Sequence, residues 1–148
     1  MLLDAAHKSH TIAAILRTCD ATGVFRIHAV DPDGDVSRNH MAAGGTGRYV
    51  GLRIHDTVRE ACESLRDRGF SILAAHFSDQ AVDYRQPDYT RPTAFLLGAE
   101  LDGVSEQAAA MSDGHVLIPM EGLVASLNVS VAAALLLYEA RRQREAAG

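Results

Sequence analysis

Three stretches of this chain carry side chains whose types and spacing suit chemistry. In Ile118-Pro119-Met120-Glu121-Gly122-Leu123-Val124-Ala125-Ser126-Leu127-Asn128-Val129-Ser130-Val131-Ala132, an apolar run ending in Pro leads through a loop toward a helix. Ser126, Asn128 and Ser130 sit there among packing residues, where a helix start offers unsatisfied N–H donors. That is the pattern of a binding floor. In Gly98-Ala99-Glu100-Leu101-Asp102-Gly103-Val104-Ser105, two glycines and an acid follow an apolar run. Such a loop lets main chain approach a ligand while Glu100 accepts hydrogen bonds from it; read alone, it is equally a tight turn with a solvated Glu and Ser105 as helix N-cap. Arg17 stands near the end of the first helical pattern, where it suits either an anion or simply the helix dipole.

Other chemistries fit poorly. The glycines at 44, 45, 47 and 51 do not form G-x-G-x-x-G and no convincing helix follows them, so a dinucleotide fold is not indicated. The only lysine is Lys8, which excludes a Walker motif, and the histidines lack metal-ligand spacing. Cys19 and Cys62 each fall on an apolar helical stripe and read as buried thiols. The net charge of −5 argues against a broadly basic nucleic-acid surface, yet 13 of the 14 basic residues are Arg, whose forks favour local bidentate phosphate contacts.

The elements that must position these residues follow from periodicity. The 148 residues, 47% hydrophobic and 22% charged, fit one globular domain, 1–148. No apolar run reaches a membrane span and the start lacks a signal-peptide layout, so a cytoplasmic protein is expected. Residues 1–6 are a possible first strand, 10–22 a helix stopped by Gly23, and 25–30 a strand closed by the turn Asp31-Pro32-Asp33-Gly34. Residues 42–47 read as a flexible loop. Thr57 and Glu60 are spaced for a capping box opening a helix over 58–68, with Val58, Ala61, Cys62 and Leu65 inward. Short apolar runs at 70–75, 93–97 and 116–118 suit central strands, and the last helix, over 126–145, should be buried first and exposed later. Alternating strands and helices predict an α/β domain, a mostly parallel sheet flanked by helices with its ligand site at the strands' C-terminal ends.

Taken together, Thr11-Ile12-Ala13-Ala14-Ile15-Leu16-Arg17-Thr18-Cys19-Asp20-Ala21-Thr22-Gly23-Val24, residues 98–105 and residues 118–132 resemble, in order, the motifs of the SpoU-type RNA ribose methyltransferases of the SPOUT class. His76-Phe77-Ser78-Asp79, Ala81-Val82-Asp83-Tyr84, Asp88-Tyr89-Thr90-Arg91-Pro92-Thr93 and the ending Leu137-Tyr138-Glu139-Ala140-Arg141-Arg142-Gln143-Arg144 are similar to the branch that methylates the D-loop guanosine of tRNA. The resemblance implies a homodimer, a C-terminal deep trefoil knot and methyl transfer from S-adenosylmethionine to a ribose 2′-hydroxyl of tRNA, without metal. It implies catalytic roles for Arg17, Asn128, Ser126 and Glu100, and a cofactor held by Ala75, Gly98, Ile118, Met120 and Leu127. Arg38, Arg48 and Arg91 are candidates for an RNA path.

The chain departs from the family pattern in two respects. Thr11 stands where the first motif opens with Asn, which keeps a donor and an acceptor but loses the amide's reach and second donor. The flanking segments that help longer tRNA enzymes of this type grip RNA are not present in the sequence. The alternatives left open are methylation of another RNA, such as a wobble nucleotide of tRNA or ribosomal RNA, and a catalytically weak RNA- or cofactor-binding protein.

Overall fold

Leu2 and Leu3 are both fully buried although they are neighbours in one strand, which places apolar layers on both faces of the sheet they belong to. The computed structural model describes residues 1–4, 9–31, 34–42, 50–99 and 103–148. Among these, the strands are β1 (Leu2–Asp4), β2 (Arg26–Val30), β3 (Gly51–His55), β4 (Ser71–Ala75), β5 (Val82–Asp83), β6 (Thr93–Leu97) and β7 (Gly114–Leu117). The helices are α1 (Ser9–Ala21), α2 (Asp35–Ala42), α3 (Val58–Asp67), α4 (Glu106–Met111) and α5 (Val129–Ala146).

The strands form one sheet in the order β3-β2-β1-β6-β4-β7-β5, and every strand pairing in it is parallel. Leu2 pairs with both His28 and Leu96, so β1 and β6 form the centre. The chain winds outward through β2 and β3, then crosses to the other half, which makes the ends of β1 and β6 the topological switch point. Side chains alternate between two cores: Leu3, Ile27, Phe95 and Leu97 meet α1 and α5, whereas Leu2, Ile72, Ala74 and Leu96 meet α3 and α4.

Helix α3 forms as its sequence dictates. Thr57 Oγ1 accepts the Glu60 N–H at 3.1 Å, the Glu60 carboxylate accepts the Asp56 N–H at 3.3 Å, and Val58, Ala61, Cys62 and Leu65 are buried. Gly23 and Gly69 follow α1 and α3 with φ of 78° and 86°. Both cysteines are free and buried, and burial pushes the Cys19 thiol up to about 11.

Several sequence expectations change. Helix α2 was not foreseen: among its described side chains only Val36 is buried and apolar, and its start is made by Asp31, whose carboxylate accepts the N–H groups of Val36 and Ser37 at 3.1 Å each. Strand β3 was also missed: Leu52-Arg53-Ile54-His55 does alternate apolar and polar, but the run is short and, at the sheet edge, mostly exposed, with burial that does not follow the alternation. Helix α5 starts at Val129, not at Ser126; Asn128 is its N-cap, with φ −55° and ψ 142°, so Ser126 and Leu127 belong to the preceding loop. Nor is α5 buried throughout its first half, since Val131, Leu135 and Tyr138 are 45%, 36% and 50% exposed. Of the expected 42–47 loop, Ala42 ends α2 and the remainder lies outside the described residues.

Candidate active site

Beyond the C-terminal ends of β4, β6 and β7 lies a cavity of about 350 Å³. Its position next to the switch point is where an open parallel sheet exposes strand-end main chain that the next strand does not use. Three connections wall it. The first, after β4, brings Ala75, His76 and Phe77; the second, after β6, brings Gly98, Ala99 and Gly103; the third, after β7, brings Ile118, Met120, Ser126 and Leu127. Ala132 and Leu136 of α5 line it as well.

The second wall is a tight loop. Ala99 and Gly103 exchange both main-chain hydrogen bonds, at 3.1 and 2.8 Å, and Gly103 adopts φ 66°. A Cβ on Gly98 would stand 2.1 Å from the Gly103 carbonyl oxygen, so this strand end tolerates no side chain. Ser105 finishes the loop in two ways at once. Its Oγ accepts the Ala108 N–H at 3.2 Å, capping α4, and donates to the Asp4 carboxylate at 3.1 Å, which ties the wall to the end of β1. The sequence left turn and ligand loop as alternatives here; the described ends of the loop, Ala99 and Gly103, are bridged and line the cavity, while Glu100, on which the alternatives turn, lies outside the described residues.

The first wall is tied to β7. His76 N–H donates to the Val116 carbonyl at 3.2 Å, and Ser78 Oγ lies 2.7 Å from His115 Nδ1. Phe77 stands 84% exposed at the mouth. At the far end of α5, Gln143 accepts the Tyr89 N–H at 2.8 Å and donates to the Pro87 carbonyl at 3.1 Å, while Arg144 Nε donates to the Tyr89 carbonyl at 2.8 Å. Two stretches singled out in the sequence, 88–93 and 137–144, therefore meet in space.

Of the residues named from the sequence, Ala75, Gly98, Ile118, Met120, Leu127 and Ser126 all line this cavity. Asn128 is exposed between the cavity residues Leu127 and Val129, and its side chain makes no capping bond. Arg17 is exposed on α1, which packs on α5, and does not itself line the cavity. Thr11 is buried at 4% exposure. Glu100 and Arg48 lie outside the described residues. Arg38 is exposed, and exposed Arg91 pairs with Asp88 at 3.7 Å. Sequence reasoning assigned no role to His76 or Phe77, although a residue just past a buried parallel strand is a good prior for a cavity wall. Among the described residues no group of three metal-ligating side chains occurs, and no helix is long and apolar enough to cross a membrane.

A second hollow of about 490 Å³ opens at the opposite ends of the strands, lined partly by Arg26, Arg68, Arg141 and Arg144. Cofactor-type ligands of parallel sheets occupy the carboxyl ends, so the first cavity is the candidate site.

A doubly wound parallel sheet with a cavity at its carboxyl ends places the molecule in the open α/β class, whose ligand sites lie at those strand ends. The chain belongs to the SpoU rRNA Methylase family, whose model matches residues 1–138. It is 52% identical over 148 residues to a tRNA (guanosine(18)-2'-O)-methyltransferase of Thermus thermophilus, covering 100% of this chain and 76% of that protein. In structure it is similar to the TrmH/SpoU tRNA modifying enzyme of Aquifex aeolicus, with a TM-score of 0.89 and 38% identity over 99% of this chain and 75% of that one. It is also similar to the SpoU methyltransferase AviRb of Streptomyces viridochromogenes in complex with AdoMet, with a TM-score of 0.85 and 26% identity over 97% of this chain and 57% of that one.

Proposed function

We propose that this chain transfers a methyl group from S-adenosylmethionine to a ribose 2′-hydroxyl of tRNA, at the D-loop guanosine. The observation that carries the reading is 52% identity, along the whole chain, to an enzyme named for that reaction. The cavity fits the cofactor. Its volume of about 350 Å³ is in the range of small-molecule sites. It is largely apolar, offers the Ser126 hydroxyl and strand-end main chain as polar groups, and has no Lys or Arg among its described lining residues to repel a sulfonium cation.

Ala75, Gly98, Ile118, Met120 and Leu127 would hold the cofactor, which supplies a methyl group already activated by its sulfonium. What remains for the protein is alignment of an in-line attack and handling of the hydroxyl proton. An arginine holds its proton up to a pKa above ~12 and is therefore a poor base at neutral pH. Arg17 accordingly binds a substrate phosphate and stabilises negative charge developing on the 2′-oxygen, with the proton leaving late or through water. Ser126 and Asn128, in the loop and N-cap just before α5, orient the ribose or the cofactor tail; Glu100 enters this reading through the sequence alone.

The reading includes the C-terminal trefoil knot. Its support is that β7 lies between β4 and β5, which are consecutive in sequence, so the 76–81 connection spans the end of β7 and the chain leaving Leu117 must pass it. It also includes a homodimer and a cytoplasmic location. For the dimer the support is the exposed apolar stripe Val131, Leu135 and Tyr138, at i, i+4 and i+7 on one face of α5.

Tritiated-methyl incorporation into tRNA transcripts with and without the D-loop guanosine tests activity and address together. Incorporation into the first and none into the second is expected. Equal incorporation into both would redirect the activity to another nucleotide.

A further inference from the structure

His115 lies on β7, outside the cavity, yet its ring bridges α4 and the wall formed by 76–78, with one contact to the helix and two to the wall. Its Nε2 is 3.1 Å from the Ala109 carbonyl, and a carbonyl only accepts, so the proton of the neutral ring is on Nε2. Nδ1 then carries the lone pair and accepts the Ser78 O–H at 2.7 Å. Ser78 Oγ in turn accepts the Gln80 N–H at 3.3 Å, which shapes the connection between β4 and β5. The His76 ring stands edge-on to the His115 ring, with centroids 5.1 Å apart and planes at 88°. His76 and Phe77 line the cavity; Ser78 is the next residue.

We infer that His115 is a positioning residue for the methyl-donor site: it anchors Ser78 and packs on His76 so that the 76–78 wall is already in place when the donor arrives. The inference rests on the cavity being the donor site. Phe77 is largely exposed, so packing alone does little to hold this segment. Without the anchor, part of the donor's binding free energy is spent on ordering the wall, and a preorganised site avoids that cost. The effect falls on donor affinity and leaves the chemical step alone, because neither His115 nor Ser78 lines the cavity.

Three variants separate anchoring from general structure. In His115→Gln the side-chain amide reaches the place of Nε2 and keeps the Ala109 contact while leaving Ser78 free. In His115→Asn it occupies the place of Nδ1 and keeps Ser78. Ser78→Ala removes the tethered hydroxyl directly. Titration calorimetry with S-adenosylmethionine and with its demethylated product, on the full chain, is expected to show about tenfold weaker binding for His115→Gln and Ser78→Ala, equivalent to ~1.4 kcal/mol. The double variant should bind no more weakly than either single one, since both remove the same link. His115→Asn should lie close to wild type. In turnover, KM for the donor rises in parallel, while kcat at saturating donor and KM for tRNA stay within about twofold. If His115→Gln does not fold, Ser78→Ala alone decides. Wild-type binding in Ser78→Ala, or full additivity in the double variant, overturns the inference while the donor site stands. A wild-type chain that binds neither ligand overturns the cavity reading, and this inference with it.

Discussion

Arg17 and the cavity residues illustrate what a single position can reveal. Arg17 sits on the exposed side of α1, so its guanidinium meets solvent and, in the proposed reaction, a substrate phosphate. Arg17→Ala is expected to lower methyl transfer by ~10² or more, the usual cost of deleting a donor that stabilises developing negative charge. Donor affinity should be unchanged, because Arg17 does not line the cavity. Tritiated-methyl incorporation beside calorimetry checks both halves, and undiminished transfer would remove Arg17 from the mechanism. Ala75, Gly98, Ile118, Met120 and Leu127 were named through motif resemblance and stand around one cavity. Nothing in their residue types distinguishes them from core, because what they present to a ligand there is apolar surface and main chain. Thr11 was legible as a departure from the motif. Its burial was legible only in part, since an α1 stripe of Ile12, Ile15, Leu16 and Cys19 leaves the first turn's facing ambiguous.

At the scale of elements, local chemistry decided how much could be read. Helix α3 carries a capping box and a clean apolar stripe, and it folded over the residues expected. Helix α2 has one buried apolar residue among its described side chains and a cap from Asp31, four residues before its first turn, so neither period nor cap was recognisable. The start of α5 was misplaced because residues 123–128 are apolar and polar in a helix-like mixture, yet they form an irregular, bent loop of which Ala125, Ser126 and Leu127 wall the cavity. The Gly98 loop offers a sharp test of such local geometry. Gly98→Ala places a Cβ 2.1 Å from the Gly103 carbonyl, which main chain alone can relieve. The expected cost is about 1–3 kcal/mol of stability, with donor affinity lost as the wall shifts. Urea denaturation and calorimetry measure these, and a variant unchanged in both would show the loop to be freer than its geometry indicates.

Across the whole molecule, two features concern stability and assembly. His28 on β2 and His55 on β3 face each other, with Nδ1 and Nε2 2.9 Å apart and rings stacked at 5.2 Å. Burial lowers both, and holds His28 at about 4, helped by the terminal ammonium and by His55 itself. The folded value therefore lies below the unfolded one of ~6.5, and the unfolded chain binds more protons in between. Stability from the neutral pair is complete above pH ~6.5 and is lost as pH falls toward 4. Asp83, drawn down to about 2 by its hydrogen bonds with Arg85, acts in a separate and more acidic window. Melting temperature should fall between pH 7.5 and 5.0, and less steeply in His28→Gln; equal slopes would remove the pair from the effect. For assembly, Leu135→Glu places a charge in the exposed α5 stripe. If the proposed homodimer uses this stripe, light scattering should report a shift from dimer toward monomer, and an unaltered dimer would place the interface elsewhere.

By itself, the sequence determined the α/β class, the parallel sheet, the buried cysteines, the inward face of α3 and the motif blocks that define the family. Those properties depend on hydrophobic period, caps and residue type, which are local. Only the tertiary structure decided that three strand-end connections wall one cavity, that Ser105 links that wall to Asp4, that Gln143 holds the 87–89 turn, and that His115 anchors Ser78. Each of these joins residues many positions apart, and strand order, which no local period encodes, brought them within hydrogen-bonding distance.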